Sequence, residues 1–316
     1  MGFYLEVLIG GLMAGVLYSL VALGFVLIFK ASGVFNFAQG AMVLFAALAL
    51  ARLAEWLPAW IGIPAGFPAL TLAFVLAAGI MVGLAWVIER IVLRPLVAQD
   101  PVALLMATLG VTFFLDGFGQ TIWGSDIYKI DLGISKDPTM ILESMFQGGI
   151  LVSKEDLIAA VIAAGLVILL ALFFQKTATG RALRAVADDH QAAQSIGIPL
   201  NRIWVIVWAV AGFVALVAGM VWGAKLGVQF SLAQLALKAL PVVILGGFTS
   251  IPGAIIGGLI IGVGEKMAEV FLGPPLVKMW DLAGGGIENW FAYVLALLFL
   301  MVRPEGLFGE KHIDRV

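Results

Sequence analysis

Charged side chains are scarce in this sequence, since Asp, Glu, Lys and Arg together make up only 12% of its 316 residues. A typical soluble domain carries about 25% charged residues, because charged groups are needed where the surface meets water. Hydrophobic residues make up 62% of the chain, so the few charges cannot cover the surface of a soluble fold of this size. The composition therefore predicts a protein whose surface is largely solvated by lipid.

Cysteine is absent, which excludes disulfides, cysteine-ligated zinc and iron–sulfur clusters. The two histidines, His190 and His312, lie far apart in sequence, so no metal site is predicted. The net charge of −2 provides no broad attraction to nucleic acid. No histidine lies near a nucleophile, and the carboxylates of Asp188 and Asp189 point to different faces of a helix. These features indicate a protein that is not an enzyme.

Long uncharged runs fill most of the sequence, and a membrane-spanning helix needs about 20 such residues. Six runs contain no charge: Val7–Phe29, Ala31–Ala51, Phe67–Ile88, Leu157–Phe174, Ile203–Ala224 and Ala239–Gly264. Two more runs, Pro101–Ser125 and Gly286–Val302, contain one acid each. We predict an all-α, polytopic transmembrane helical bundle formed by residues 1–316 as a single transmembrane domain. It would have about eight or nine hydrophobic segments, some of them broken or half helices.

The Ala239–Gly264 run contains a turn sequence in the middle of a membrane-length segment. Its Gly-Gly-Phe-Thr-Ser-Ile-Pro-Gly stretch includes Gly246, Gly247, Pro252 and Gly253. Clusters of glycine and proline interrupt helices. We therefore expect two helices or half helices that meet at this break, with the glycines permitting a tight turn.

Two polar segments predict the orientation in the membrane. Residues 126–156 are mixed in charge, whereas residues 176–202 include Arg181 and Arg184. Because basic loops of multi-pass proteins face the cytoplasm, the 176–202 loop is predicted to be cytoplasmic and the 126–156 loop extracytoplasmic. On this orientation Arg52 is the one arginine on the outer side.

The 176–202 loop also contains a predicted helix. Residues 181–195 lack glycine and proline, and Gly197 follows as a helix-ending residue. Arg184 and Asp188 are one turn apart and can form an ion pair. The helix has two interpretations: an ordinary solvated loop helix, or an element that docks in a groove of another protein.

The same loop contains Gln191-Ala-Ala, followed by Gly197. This order resembles the Glu-Ala-Ala…Gly coupling loop of bacterial ATP-binding cassette (ABC) importer permeases, with Gln191 in the place of Glu. Further motifs are Asn36-Phe-Ala-Gln-Gly, Arg94-Pro-Leu and Arg303-Pro-Glu-Gly-Leu-Phe-Gly. Together with the break sequence, they resemble permease subunits of branched-chain (hydrophobic) amino-acid ABC importers over essentially the whole chain.

The resemblance implies that the loop helix couples the permease to ATPase subunits. It assigns close-packed contacts with the ATPase to Ala192, Ala193 and Gly197. It assigns polar contacts or local pairs to Arg181, Arg184, Asp188 and Asp189. It also implies four kinds of partner: a second permease subunit, two cytoplasmic ATPase subunits, a periplasmic substrate-binding protein and an amino-acid substrate. The location implied is the bacterial inner membrane. No phosphate-binding Gly-x-x-x-x-Gly-Lys-Ser/Thr loop occurs, so ATP and Mg²⁺ would bind in the partner ATPases and this chain would carry no cofactor.

Two alternatives to branched-chain amino-acid import by alternating access remain open at this point. Related permeases serve urea, short amides or aromatic acids. A self-contained secondary transporter or channel would need a relay of charges within the membrane, and among the runs Asp116 is the one convincing intramembrane charge.

Five polar residues are candidates for lining a translocation pathway. Asn36 and Gln39 would either bond the backbone freed at a helix break or face the pathway. Thr108 and Thr112 share a helix face and would either bond their own helix or line the pathway. Asp116 would either line the pathway or form a structural pair.

Three further expectations concern the helix ends and the packing of the helices. Glu265 and Glu269 are expected to mark a helix end near water. Five tryptophans near the ends of these segments are expected in an interfacial belt: Trp56, Trp60, Trp204, Trp208 and Trp290. Glycines four residues apart are expected to let helices approach closely, as in the pairs Gly11/Gly15, Gly79/Gly83 and Gly258/Gly262.

Overall fold

The chain is helical in nearly every segment of the structure, a computed structural model, which confirms the predicted all-α class at the level of secondary structure. The one sheet seen in the described part is a short antiparallel hairpin, β1 (Pro138–Ile141) with β2 (Ile150–Ser153). It lies in the 126–156 segment, where the sequence analysis expected a loop. The structure describes residues 2–33, 35–96, 99–135, 137–141, 149–188, 190–280 and 286–309.

Six of the described helices are long and apolar enough to span a membrane. They are α1 (Gly2–Ser32), α2 (Gln39–Ile61), α3 (Phe67–Val87), α4 (Pro101–Trp123), α5 (Lys154–Lys176) and α8 (Leu200–Leu226). Helix α3 continues through a π-helical turn at Ile88–Leu93 and a 3-10 turn at Arg94–Leu96. The chain is therefore a multi-pass membrane protein.

Shorter helices complete the described part of the chain. They are α6 (Ala178–Asp188), α7 (His190–Ser195), α9 (Ser231–Lys238), α10 (Leu240–Gly246), α11 (Ile251–Met267), α12 (Gly273–Trp280) and α13 (Ile287–Val302). Residues 231–246 and 251–279 together form a pair of segments bent by 116°, which counts as one broken span or a re-entrant loop. A π-helical turn, Ala268–Leu272, follows α11. The total of eight or nine hydrophobic segments stays a prediction.

The chain divides into two compact units, and the first consists of Met1–Ala22, Ile134–Val167 and Lys238–Val316. In this unit α10, α11 and α13 pack against one another. The first half of α1 packs closely on α11, because Gly11 and Gly15 face the backbone of α11 at Gly258 and Gly262. Glycine pairs of this kind let helix backbones approach, so the predicted role of these pairs is confirmed.

The second unit consists of Leu23–Gly133 and Ile168–Leu237. Helices α2, α3 and α8 pack against one another, and α4 packs on α2. Trp208 of α8 is buried in this core, and Trp204 is buried with its indole N–H donating to the Ala31 carbonyl at 3.1 Å. The expectation of an interfacial belt is therefore wrong for these two tryptophans.

The glycine pair of α3 also differs from expectation. No described atom lies within 4 Å of a Cβ atom added at Gly79 or Gly83. The neighbouring Val82 and Trp86 are exposed, because α2 and α8 pack on the other side of the helix. The predicted close contact at this pair is therefore not made within the described part of the chain.

Candidate functional sites

The α5–α8 connector, residues 177–199, begins with a tight corner. The Thr177 hydroxyl accepts a hydrogen bond from the Gly180 N–H at 3.0 Å, which caps the start of α6. A Cβ atom added at Gly180 would lie 2.3 Å from the Phe174 carbonyl oxygen, so only glycine fits there. The Arg184 guanidinium donates to the same Phe174 carbonyl. Arg184 is thus bound to the end of α5, and the predicted ion pair with Asp188 is not formed.

The connector ends in a glycine turn. The Ile198 N–H donates to the Ala193 carbonyl at 3.0 Å, and Gly197 has φ of 86°. This is the hydrogen-bond pattern of a helix closed by a left-handed residue, which favours glycine. The sequence predicted one helix over 181–195, and the structure is helical on both sides of Asp189, which lies outside the described residues.

The connector has an inner and an outer face. Leu183, Val186 and Ala193 are buried, and α6 and α7 pack against α8. Ala193 is 1% exposed and packs within the chain, and its assignment as a contact with an ATPase subunit stays a prediction. The exposed side carries the predicted contact residues Arg181, Asp188, Ala192 and Gly197, together with Ile196.

Side-chain bonds tie the start of α8 to two other helix ends. With the Asn201 amide oriented so that its oxygen faces Arg94, the Arg94 Nε and Nη2 atoms donate to it at 3.3 and 2.8 Å. The Trp204–Ala31 hydrogen bond, one turn further along α8, reaches the end of α1. The connector is therefore fixed to the ends of α1, α3, α5 and α8 by specific bonds.

Asn36 and Gln39 lie at the break between α1 and α2, and both are fully buried. The Asn36 Oδ1 atom accepts from the Ala38 N–H at 3.0 Å, and its Nδ2 atom donates to the Gln39 Oε1 atom at 3.3 Å. Gln39 Nε2 in turn donates to the Ala211 carbonyl at 3.5 Å. Of the two interpretations, the geometry favours the one in which Asn36 and Gln39 form hydrogen bonds with backbone groups near the helix break.

The polar face of α4 shows a similar pattern. The Thr112 hydroxyl donates to the Thr108 carbonyl at 2.9 Å, and Thr108 donates to the Leu105 and Phe35 carbonyls. One turn further on, the Asp116 Oδ1 atom is buried without a hydrogen-bond partner among the described residues. The threonines thus bond backbone, whereas the carboxylate of Asp116 keeps a free acceptor.

The break between α10 and α11 brings two glycine backbones into contact. A Cβ atom added at Gly246 would lie 2.2 Å from the Gly253 carbonyl oxygen, and Gly247 has φ of 103°. The Ser250 hydroxyl accepts from the Gly253 N–H at 3.0 Å and caps α11, whose first turn contains Pro252. The glycines therefore permit the tight turn, as the sequence suggested.

A segment that follows α13 covers this break. The Leu307 N–H donates to the Leu245 carbonyl at 2.8 Å, and the Phe308 N–H donates to the Gly246 carbonyl at 3.1 Å. These carbonyls belong to the last turn of α10, where no helical N–H is left to bond them. The post-α13 segment thus satisfies the backbone that the break exposes.

An ionic cluster in the first unit, consisting of Tyr18, Lys238, Glu265, Lys266 and Glu288, was not predicted from the sequence. Glu265 is 3% exposed in the interior, so the expectation that it marks a helix end near water is wrong. The signal was its spacing: Gly258, Ile261 and Glu265 follow at helical intervals and share the packed face of α11. Glu269, one turn later, is exposed and pairs with Lys266 at 2.8 Å.

Arg52 is held in an aromatic clamp at the C-terminal half of α2. Its guanidinium lies 4.6 Å from the Trp56 ring centroid and 4.7 Å from that of Tyr128, and it pairs with Glu55 at 2.5 Å. Cation–π contacts of this kind stabilise a partly desolvated guanidinium. A groove of about 350 Å³ lies beside the clamp and is lined by Glu55, Tyr128 and Lys129 among others. In the described part of the chain, no three acidic or histidine side chains converge on a metal site.

Comparison with known proteins identifies the family. The family model for the permease component of branched-chain amino acid transport systems matches residues 7–303. The BraD high-affinity branched-chain amino acid transport permease of Pseudomonas aeruginosa is 29% identical, covering 99% of this chain and 98% of BraD. The LivH permease of Escherichia coli is 26% identical with the same coverage of the two chains.

Among solved structures, PsaBC from Streptococcus pneumoniae in complex with Fab is similar at a TM-score of 0.44. It has 14% identity, covering 94% of this chain and 91% of that one. The match of the family model over nearly the whole sequence decides the assignment. This chain belongs to the family of branched-chain amino acid transport permeases.

Proposed function

We propose that this chain is the membrane-spanning permease subunit of an ATP-driven importer that carries branched-chain amino acids across the bacterial inner membrane. The observation that carries the proposal is the family match over residues 7–303, which includes the α5–α8 connector. The relatives are named as permeases of high-affinity branched-chain amino acid transport systems. The chain itself has no phosphate-binding loop.

An importer of this kind divides its tasks among several subunits. Two ATPase subunits bind ATP and Mg²⁺ on the cytoplasmic side, a second permease subunit completes the passage, and a periplasmic protein supplies the substrate. The exposed side of the connector, with Ala192 and Ile196, is the surface on which an ATPase subunit docks. Because the binding protein supplies the affinity, tight binding of the amino acid within the membrane is not needed.

The connector transmits ATPase closure to the membrane helices by direct attachment. Arg184 fixes it to α5 through Phe174, and the Arg94–Asn201 bond fixes it to the end of α3. A displacement of the connector therefore moves several helix ends of the second unit together. Such a movement opens the passage first to one side and then to the other, which is alternating access.

Reconstitution tests this function. The chain is purified from its native membrane under mild conditions, its co-purifying subunits are identified, and the assembly is placed in proteoliposomes with its substrate-binding protein. We expect uptake of L-leucine, L-isoleucine or L-valine that requires ATP and the binding protein. Urea, acetamide and L-phenylalanine serve as competitors that separate the related substrate classes. Uptake by this chain alone, without ATP, would contradict the proposal and support a self-contained transporter.

A further inference from the structure

Five charged or hydroxyl side chains from four helices meet in the first unit. This ionic cluster consists of Tyr18, Lys238, Glu265, Lys266 and Glu288. Its members lie on α1, α9, α11 and α13, in segments that are otherwise almost free of charge. Ionisable groups in membrane-embedded helices are costly, so an arrangement of this kind indicates a function.

Glu265 forms the inner end of the cluster. Tyr18 is 6% exposed, and its hydroxyl is hydrogen-bonded to the Glu265 carboxylate. The other carboxylate oxygen, Oε1, is buried and has no hydrogen-bond partner among the described residues. A buried acceptor without a donor is unfavourable, so this oxygen is placed to accept a hydrogen bond from a ligand.

Lys238 and Glu288 form the outer end. Lys238 Nζ lies 3.8 Å from Glu288 Oε1, and Lys266 Nζ lies 3.8 Å from Glu288 Oε2, so both contacts are loose. The side chains of Lys238 and Glu288 are 23% and 33% exposed, and the cluster therefore opens towards the surface of the unit. The ionic cluster thus extends from the buried carboxylate of Glu265 to the partly exposed charges of Lys238 and Glu288.

Lys238 and Glu265 are electrostatic neighbours without a direct ion pair between them in the described structure. An acid and a base separated in this way present a negative and a positive charge to a molecule that lies between them. The two acids of the cluster, Glu265 and Glu288, balance its two bases, Lys238 and Lys266. A ligand that carries one charge of each sign leaves this balance unchanged.

We propose that the ionic cluster receives the zwitterionic head of the amino acid during transport. The ammonium group donates to Glu265 Oε1, and the α-carboxylate accepts from the Lys238 ammonium group. Tyr18 holds the Glu265 carboxylate in position from the other side. This inference rests on the proposed function for the identity of the ligand, and it adds where the ligand is recognised in this chain.

Ligand-detected saturation-transfer NMR tests the site in the complete purified assembly in nanodiscs, without the binding protein. Three probes separate the charges: L-leucine, 3-methylbutylamine without a carboxylate, and 4-methylpentanoate without an ammonium group. We expect Glu265→Gln to weaken binding of L-leucine and of the amine about tenfold or more, because a charge-assisted bond is lost. Binding of 4-methylpentanoate should change little in this variant.

Lys238→Met should give the opposite pattern, weakening L-leucine and 4-methylpentanoate and sparing the amine. Glu269→Gln is the matched control, since this acid lies one turn from Glu265 and is exposed, and it should retain all three probes. A merely structural role for Glu265 would weaken all three probes equally. That result, or wild-type binding of the amine by Glu265→Gln, would overturn the site.

ATP-dependent uptake of L-leucine by the wild-type assembly separates this inference from the proposed function. If the wild type transports L-leucine and Glu265→Gln transports at the same rate with unchanged binding, the site is wrong and the function stands. If the wild type fails to transport any amino acid, the function is wrong. The NMR comparison of the three probes still decides whether the cluster binds an ammonium group.

Discussion

Gly15 and Gly262 stand backbone to backbone where α1 crosses α11. A Cβ atom added at Gly262 would lie 2.4 Å from the Gly15 Cα atom, a distance that no side chain tolerates. Ser19, one turn from Gly15, donates to the Ile255 carbonyl at 3.0 Å and adds a polar bond to the crossing. The first unit therefore depends on the absence of side chains at this point.

Gly262→Leu should separate these two helices and lower the stability of the detergent-solubilised protein by about 3 kcal/mol or more, because the added side chain meets backbone. The measurement is the midpoint of thermal unfolding. Gly79→Leu is the matched control, since no described atom lies near that position in α3. Equal midpoints for the two variants would show that the crossing does not support the unit.

Arg94→Gln should weaken coupling and leave the ATP site intact, because the bond to Asn201 holds the start of α8 against the end of α3. We expect the ATPase activity stimulated by the binding protein to fall about twofold to thirtyfold while basal activity is unchanged. Asn201→Leu should reproduce this effect. Asn201→Asp should retain coupling, since a carboxylate also accepts from Arg94.

A double-mutant cycle completes the test of this bond. If the bond is the cause, Arg94→Gln combined with Asn201→Leu should be no worse than either single variant. Fully additive effects would mean that the two side chains act independently.

Gly197→Trp should lower transport-coupled ATPase activity while membrane insertion remains normal. The residue is exposed on the connector, and its φ of 86° also disfavours a side chain. Ala192→Arg separates the two effects, because this exposed position is helical and can carry an arginine without backbone strain. Normal coupling in both variants would remove the docking role of the connector.

Arg52→Met should reduce stability by about 1–2 kcal/mol, because the methionine keeps apolar contact but loses the stacking on Trp56 and Tyr128 and the pair with Glu55. The unfolding midpoint provides the measurement. Arg202→Met, at an exposed arginine, serves as the reference and should have a smaller effect. A larger loss at Arg202 would contradict the importance of the clamp.

The sequence predicted the structure correctly where a single local pattern specifies it. The lengths of the uncharged runs predicted the long helices. The positions of the glycines predicted the break at Gly246–Gly253 and the turn at Gly197. These features depend on residues close together in the chain. The Arg94–Asn201 bond and the aromatic clamp of Arg52 join distant segments, and no local pattern specifies which distant side chain a polar residue meets.

Burial was the property that the sequence predicted least well. Trp208 and Glu265 lie near the ends of apolar runs, where water or an interface is the ordinary environment. Both are nevertheless buried, each in the core of its own unit, and the local sequence does not reveal this. The same reason explains Ala193, whose alanine side chain gives no indication of which face of α7 is covered.

The two hydrogen bonds that cover the α10–α11 break have a consequence for the order of assembly. Leu307 and Phe308, which bond the last carbonyls of α10, are synthesised only after α13. The nascent chain must therefore insert α10 and α11 before those carbonyls have their partners. The two hydrogen bonds form only after Leu307 and Phe308 have been synthesised. The first unit is therefore completed late, and a chain interrupted after α13 would leave the carbonyls of Leu245 and Gly246 without these hydrogen bonds.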